Sequence, residues 1–452
     1  MTHQDIIAKL NALPSEKIKF AVVDIDGVLR GKIIHRSKFL KGLEEGLGFC
    51  NVIFGWDSSD VCYDNSIVSG WHTGYPDAFC SIDLDTLRHI PWEGDLPFFL
   101  ADFSNDPSGV RQACPRTLLK TIRQNCLEMG LNPIFAKEFE WFNFQETPQS
   151  LQDKNYVNPE PLTPGMFGYS ILRPSMNNAY FHQLYDDLHA FGIPLEGLHT
   201  ETGPGVYEGS ILYSDVLEAA DRAVLFKTGV KEIANQHGFI ASFMAKWSEH
   251  LPGCGGHIHQ SLWDLEQQKN LFYDAAAPHQ MSELMQHYVA GQLHCLPHIL
   301  PMYAPTVNSY KRLIKGSWAS VSASWGIENR TTALRVINHG EKSMRLETRV
   351  PGADCNPYLS LAASLASGLY GIKHKLPLEI APTQGSEYDN PHNAPFPASL
   401  HEATQAMKTS SIAEALFGAA FVEHFTLTRE WEWRQYSQAV SNWELKRYFE
   451  II

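Results

Sequence analysis

The alternation of polar and apolar residues is clearest between Gly255 and Trp263. It places His257, His259 and Ser261 on one side of a predicted strand and leaves a mainly apolar side opposite. A side with two histidines and a serine is too polar for a core, and the flanking glycines allow another group to approach the backbone closely. Alone, the pattern leaves two interpretations open: a functional strand, or a surface strand with two incidental histidines.

The same reading predicts strands and helices along the rest of the chain. Residues 19–28 and 32–35 predict a hairpin, and residues 115–129 predict a helix that starts at Pro115 and is capped by Gly130. A sheet built of strands that are not adjacent in sequence, with helices covering one side, predicts an α+β fold. The other predicted elements are helices at residues 1–17, 175–191, 215–236, 281–298 and 356–371, and strands at residues 134–144, 196–202, 239–246, 255–262, 331–337 and 344–350.

The length of 452 residues is too great for one small core. We place a boundary in the polar segment 105–114 and expect two domains, residues 1–110 and residues 111–452. The hydrophobic fraction of 44% and the charged fraction of 19% are those of an ordinary globular protein.

The net charge and the cysteine content argue against several classes of function. A net charge of −14 argues against a nucleic-acid-binding surface. Eight scattered cysteines without a Cys-x-x-Cys pair favour reduced thiols over disulfides or a zinc site. The N-terminus has no signal-peptide pattern, and no run approaches the roughly 20 apolar residues that span a bilayer. We therefore expect a soluble, cytoplasmic protein without nucleic-acid or membrane partners.

An aspartate pair in the first hairpin offers a competing function. Asp24 and Asp26 follow an apolar strand, as does the nucleophile of haloacid-dehalogenase-type phosphatases. Residues 30–33 continue directly into another strand, whereas such a phosphatase needs a helix there. A polar hairpin turn is the preferred interpretation.

Glutamates recur on the predicted strands of the larger domain. Glu138 and Glu140 project from one strand face, about 7 Å apart, and repel each other unless a cation lies between them. The alternative, a solvated strand face, is disfavoured by the dense aromatic residues around them. Glu201 and Glu208 flank a Gly-Pro-Gly turn, which alone predicts only an acidic loop. Glu347 shares a strand face with two arginines, which could equally be a salt-bridged surface ladder.

Together these residues favour phosphoryl transfer. Five carboxylates and one histidine form an oxygen-rich ligand set that suits Mg²⁺ or Mn²⁺ better than zinc or copper. Arginine binds phosphate through two parallel hydrogen bonds, so cations and guanidinium groups can enclose a phosphate from two sides. The acidic set is Glu138, Glu140, Glu201, Glu208, Glu347 and His257, and the basic set is Arg312, Arg330, Arg335, Arg345, Arg349 and Lys342.

Read in order, these motifs resemble the glutamine synthetase family over nearly the whole chain. Four ordered blocks are far more specific than any one of them. The resemblance implies a small β-grasp-like N-terminal domain and a larger catalytic domain with a curved antiparallel sheet backed by helices. It also implies a dodecamer of two hexameric rings with active sites between subunits. The blocks are residues 137–142; Glu201 with Glu208; residues 255–262; and Asn308–Leu313 continued by Asn329-Arg330, Arg345–Arg349 and Asn356–Tyr358.

The resemblance also implies a role for each matching residue. The reaction would use ATP and two or more Mg²⁺ or Mn²⁺ ions to convert glutamate to γ-glutamyl phosphate, from which an amine displaces phosphate. One metal would be held by Glu140, Glu201 and Glu208, and the other by Glu138, His257 and Glu347. Glutamate would be bound by Gly253, His257, Arg312 and Arg349, and ATP by Ser261, Arg330, Arg335, Lys342 and Arg345, with Asp57, Arg330 and Glu347 as catalytic residues.

The chain departs from the family at the nitrogen donor. Glutamine synthetases carry a glutamate on the flap after the Asn308 block, and Trp318 stands at that position here. An indole supplies no carboxylate for ammonium, though its face can attract a cation or pack an alkyl group. Asp57 matches the residue expected to reach across from a neighbour and deprotonate the amine. Pro252 stands at the position where the family's residue is expected to contact the substrate glutamate.

These departures predict a ligase that joins glutamate to an amine other than ammonia. Trp56, Tyr169 and Trp318 suggest an apolar amine pocket, and therefore a small monoamine in preference to a polyamine. Two alternatives remain: a true glutamine synthetase that uses ammonia, and a non-catalytic relative acting as scaffold or sensor. The second would be expected to have lost ligands, and all six metal-ligand candidates are present.

Overall fold

A six-stranded sheet forms the N-terminal part of the chain in the computed structural model, which describes residues 2–390 and 393–452. The strand order is β2-β1-β6-β4-β3, and β5 also pairs with β6. Strands β1 and β6 are parallel and the other pairs are antiparallel, which is a β-grasp-like arrangement. The elements are α1 (His3–Ala12), β1 (Lys17–Val23), β2 (Leu29–His35), α2 (Arg36–Glu45), β3 (Leu47–Cys50), β4 (Asp77–Ile82), β5 (Arg88–Ile90) and β6 (Leu96–Asp102).

The predicted hairpin is present, and its aspartates serve the turn. Asp24 is 3% exposed, and its Oδ1 accepts the backbone N–H groups of Asp26 and Val28 at 3.0 and 2.9 Å. Arg30 donates to the other oxygen of Asp24 at 2.8 Å. No helix follows the turn, so the structure confirms the hairpin and removes the phosphatase interpretation.

A nine-stranded sheet forms the larger part, in the order β13-β14-β15-β12-β7-β9-β8, with β10 and β11 also paired to β7. The sheet is antiparallel, as predicted, except for the parallel β13–β14 pair. The strands are β7 (Asn132–Phe144), β8 (Leu195–Thr200), β9 (Val206–Ile211), β10 (Ser214–Asp215), β11 (Ile240–Ser242), β12 (Ile258–Trp263), β13 (Trp325–Ile327), β14 (Leu334–Ile337) and β15 (Arg345–Thr348).

Helices cover one face of this sheet, because alternate strand positions there are apolar. Ile258, Leu262 and Leu346 are fully buried on that face. The main helices are α3 (Pro115–Glu128), α6 (Asn178–Ala190), α7 (Val216–Gln236), α8 (Glu283–Ile299) and α10 (Pro357–His374), and the short ones are α4 (Pro148–Asp153), α5 (Leu172–Met176) and α9 (Ser309–Arg312).

Helices α8 and α10 approach closely through glycines. A Cβ on Gly291 would lie 2.3 Å from the Ser367 carbonyl oxygen, and one on Gly371 would lie 2.0 Å from that of His287. Because these distances leave no space for a side chain, glycine at both positions permits the packing that holds α10 under the sheet.

Four further helices follow in a stretch where the sequence analysis predicted no element: α11 (Leu400–Lys408), α12 (Ser411–Phe417), α13 (Ala419–Gln438) and α14 (Asn442–Tyr448). Helix α13 contacts the N-terminal part, where Arg429 pairs with Asp26 at 2.6 Å. All eight cysteines are unpaired, as predicted. Within residues 2–390 and 393–452, no helix is both long and apolar enough to cross a membrane.

Candidate active site

A cavity of about 950 Å³ lies on the face of the nine-stranded sheet that the helices leave open. Sixteen of the predicted site residues line it, and they come from β7, β9, β12, β14, β15, the end of α9 and the adjoining loops. They are Glu138, Glu140, Tyr169, Glu201, Glu208, Gly253, His257, Ser261, Arg312, Trp318, Arg330, Arg335, Lys342, Arg345, Glu347 and Arg349. Pro252 also lines the cavity.

Strand pairing brings one group of carboxylates together. Glu140 on β7 lies directly opposite Glu208 on β9, and Glu208 lies opposite His199 on β8. His199 Nε2 is 3.4 Å from Glu201 Oε1 and 3.9 Å from Glu208 Oε2. The ligand atoms of these last three residues lie within 4.8 Å of one another, a spacing at which one cation can bind all three.

The electrostatics of this group favour a bound cation. Burial, followed by the charges of Glu138, Glu140 and Glu201, raises the pKa of Glu208 from 4.5 to about 10. A divalent cation would remove that penalty, and the oxygen-rich donor set fits Mg²⁺ or Mn²⁺. These residues therefore fit the metal that the sequence predicted there.

A second group centres on Glu138. Its Oε1 is 2.7 Å from His257 Nδ1 and its Oε2 is 3.4 Å from His259 Nε2. Glu138, His259 and Glu347 offer ligand atoms within 4.8 Å of one another. Burial and nearby Arg349 lower the pKa of His257, which favours the neutral imidazole that metal binding requires.

Two histidines therefore join the ligand candidates. The resemblance implied His257 alone as a metal ligand, whereas the geometry makes His259 an equal candidate. His199 was given no role, although it precedes Glu201 by two positions on a strand and therefore shares its face. That spacing was a signal the sequence carried.

The basic residues face the same cavity. Glu347 is 1% exposed and accepts from Arg335 at 3.0 Å and from Arg349 at 2.5 Å, so the alternative of a surface ladder is wrong. Arg345 donates to His259 Nδ1 at 3.1 Å. Lys342 is exposed at the rim. Positive charge thus lies beside both acidic groups.

Aromatic residues border the end near Glu201. Tyr169 stacks on His199 with ring centres 4.7 Å apart and planes at 9°. Trp318 is 64% exposed and has a left-handed backbone with φ of 59°. The flap, residues 313–319, therefore holds an indole at the rim of the cavity.

Trp56 and Asp57 lie outside the cavity of this chain. Arg30 lies over the Trp56 ring, 5.1 Å from its centre. Asp57 Oδ1 accepts the backbone N–H groups of Ser59 and Val61, and its Oδ2 accepts from Trp431 Nε1 at 2.9 Å. Their assignment to the amine site depends on a neighbouring chain and stays a prediction.

Comparison with known proteins agrees with this geometry. The model of the glutamine synthetase catalytic domain matches residues 112–448, most of the chain. The chain belongs to the glutamine synthetase family. Enzymes of this family are ATP-dependent, amide-forming ligases that use divalent metals.

Individual glutamine synthetase relatives match over their length. Type-1 glutamine synthetase 2 of Dictyostelium discoideum is 51% identical over 458 residues, which covers 100% of this chain and 87% of the relative. Glutamate–isopropylamine ligase of a Pseudomonas species is 38% identical over 452 residues, with 99% and 97% covered. The solved structure of a GmaS/ADP complex superposes with a TM-score of 0.85 at 24% identity, over 98% of this chain and 99% of that one. The structural likeness confirms the α+β fold.

Proposed function

We propose that this protein joins the γ-carboxylate of glutamate to a small monoamine, using ATP and passing through γ-glutamyl phosphate. The observation that carries the proposal is Trp318, which borders the cavity at the position where the family places its ammonium-binding glutamate. An indole there attracts cations weakly and packs against alkyl groups, which suits an alkylamine better than ammonium.

In the first step, a γ-carboxylate oxygen attacks the γ-phosphorus of ATP and the bond to ADP breaks. Arg312 and Arg349 would hold glutamate by its carboxylates, with Gly253 beside its amino group. Arg312 is 4% exposed and donates to the Val350 carbonyl at 3.0 Å, so its guanidinium is already oriented.

Basic residues that line the cavity would bind ATP. Arg330, Arg335, Lys342 and Arg345 would neutralise the phosphates, and Ser261, which accepts from Trp263 Nε1 at 2.9 Å, would contact the nucleotide. Two or more Mg²⁺ or Mn²⁺ ions held by the carboxylates and histidines would supply further positive charge against the phosphates.

In the second step, the amine nitrogen attacks the acyl carbon and the bond to phosphate breaks. The amine reacts only after losing a proton, and Asp57 of a neighbouring subunit would accept it. Trp318 and Tyr169 would surround the alkyl group. This arrangement requires sites between subunits, and we expect the dodecamer of two hexameric rings.

Relatives support two nitrogen donors. The 38% identical relative acts, by its name, on isopropylamine, which supports the monoamine. The 51% identical relative is named a glutamine synthetase, which makes ammonia the second candidate. Trp318 supports the amine, because it stands where the family's flap glutamate would bind ammonium.

The test is ADP release with glutamate and a panel of ammonium, methylamine, isopropylamine and putrescine. We expect the highest kcat/KM with a small monoamine. Trp318→Glu should shift the preference towards ammonium, while Ile314→Glu, an equal charge change on the same flap, should not. A highest kcat/KM for ammonium in the unaltered protein would identify it as a glutamine synthetase. No ADP release with any donor would favour a non-catalytic scaffold or sensor.

A further inference from the structure

The flap depends on local tethers for its position. Trp318 is 64% exposed, so packing does little to hold it, and its left-handed backbone is unfavourable for a residue other than glycine. Ser317 Oγ donates to the carbonyls of Arg312 and Ile314 at 2.7 and 2.6 Å, which folds the start of the flap onto itself. At its far end Ala319 is fully buried, and side chains outside the flap reach the backbone there.

A short 3₁₀ turn, Glu387–Asp389, lies against that far end. The Tyr388 hydroxyl donates to the carbonyl of Ala319, directly after Trp318, at 3.1 Å. Lys315 also pairs with Asp389 at 3.3 Å, but both side chains are largely exposed, and such pairs contribute little. Arg349 donates to the carbonyl of Trp318 at a longer 3.5 Å. The Tyr388 hydrogen bond, at 3.1 Å, is the shortest of these three contacts.

The turn itself is firmly anchored. Glu387 is 2% exposed and accepts from Ser322 at 2.6 Å, Thr383 at 2.7 Å and Asn393 at 2.9 Å. Its backbone N–H donates to the Thr331 hydroxyl at 2.9 Å. A buried carboxylate with this many donors is costly to displace, so the turn is a rigid support.

We propose that Tyr388 is a positioning residue that holds the flap, and with it Trp318, at the amine end of the site. Tyr388 does not line the cavity, so it acts through the Ala319 carbonyl and not by touching substrate. The inference rests on the proposed function, in which Trp318 borders the amine. Without the tether the indole samples more positions, and both amine binding and discrimination between amines weaken.

The test is Tyr388→Phe, which removes the hydroxyl and keeps the ring. We expect kcat/KM for the preferred amine to fall about five- to tenfold, as for the loss of one neutral hydrogen bond. The KM values for ATP and glutamate should stay within about twofold, and the ratio of kcat/KM values for isopropylamine and ammonium should move towards one. A purely structural role would not change that ratio.

Tyr185→Phe is the matched control, because its hydroxyl also donates to a backbone carbonyl, that of Leu195, at 3.3 Å and away from the flap. Tyr185→Phe should leave unchanged the amine kcat/KM, the KM values for ATP and glutamate, and the ratio of kcat/KM values for isopropylamine and ammonium. An unchanged amine kcat/KM in Tyr388→Phe, or an equal loss for amine, ATP and glutamate, would overturn the inference. Failure of the proposed function shows separately, as an ammonium preference in the unaltered protein; the tether is then tested with ammonium as donor.

Discussion

Glu208 allows a direct measurement of how strongly the carboxylate group needs a cation. Burial and three neighbouring glutamates raise its pKa to about 10, against an ordinary 4.5. Between these values the folded, metal-free protein holds a proton that the unfolded chain releases. Stability conferred by this group is therefore complete below pH 4.5 and is lost as the pH rises towards 10.

The size of the effect follows from that interval. Each pH unit above 4.5 costs the metal-free fold about 1.4 kcal/mol, which gives an upper limit of about 5 kcal/mol at pH 8 and about 1.4 kcal/mol at pH 5.5. Glu208→Gln has no charge to bury at any pH. The metal-free variant should consequently be more stable than the unaltered protein at pH 8, and this difference should be much smaller at pH 5.5.

Thermal unfolding in EDTA at the two pH values measures this difference. Addition of Mn²⁺ at pH 8 should raise the midpoint of the unaltered protein more than that of Glu208→Gln, because the cation replaces a proton only where the carboxylate exists. Glu196→Gln, at an exposed glutamate on the rim of the same cavity, is the control and should show neither effect. A Glu208→Gln midpoint at or below that of the unaltered protein in EDTA at pH 8 would refute the reasoning.

Two further substitutions test other parts of the site. Glu347→Ala leaves Arg335 and Arg349 without their shared carboxylate and removes a predicted metal ligand. Turnover should therefore fall to background, while light scattering should show an unchanged assembly. A retained rate would contradict the metal assignment. Trp431→Phe removes the hydrogen bond to Asp57 and should lower kcat/KM for the amine about tenfold with little change in the KM for ATP. An equal loss for both substrates would instead indicate a general disturbance of the fold.

Local patterns were sufficient to predict much of the site. Glu138 and Glu140 share a face because strands have a period of two, and the pairing that places His199 opposite Glu208 follows from the turn between β8 and β9. His199 could therefore have been found from the sequence. The pairing of Glu208 with Glu140 joins β9 to β7 and depends on which strands are neighbours, which periodicity alone does not specify.

Other features depend on contacts between distant parts of the chain. The hydrogen bond between Asp57 and Trp431 joins residues 374 positions apart, and neither local sequence indicates it. The parallel β13–β14 pair was missed because strand direction is set by the path of the connection, not by the residues within each strand. Helices α11–α14 were not predicted, and they carry none of the motifs that mark the site.

The contrast between sheet and flap has a consequence for the divergence of such enzymes. Strand β7 is hydrogen-bonded to β12 and β11 on one side and to β9 and β10 on the other, so the groups that would activate the carboxylate are fixed by the backbone of the sheet. Trp318, which we propose borders the amine, lies in a seven-residue loop outside it. On that proposal, substitutions in the loop should change the nitrogen donor without disturbing phosphoryl transfer, and a library confined to residues 313–319 should yield ligases for new amines.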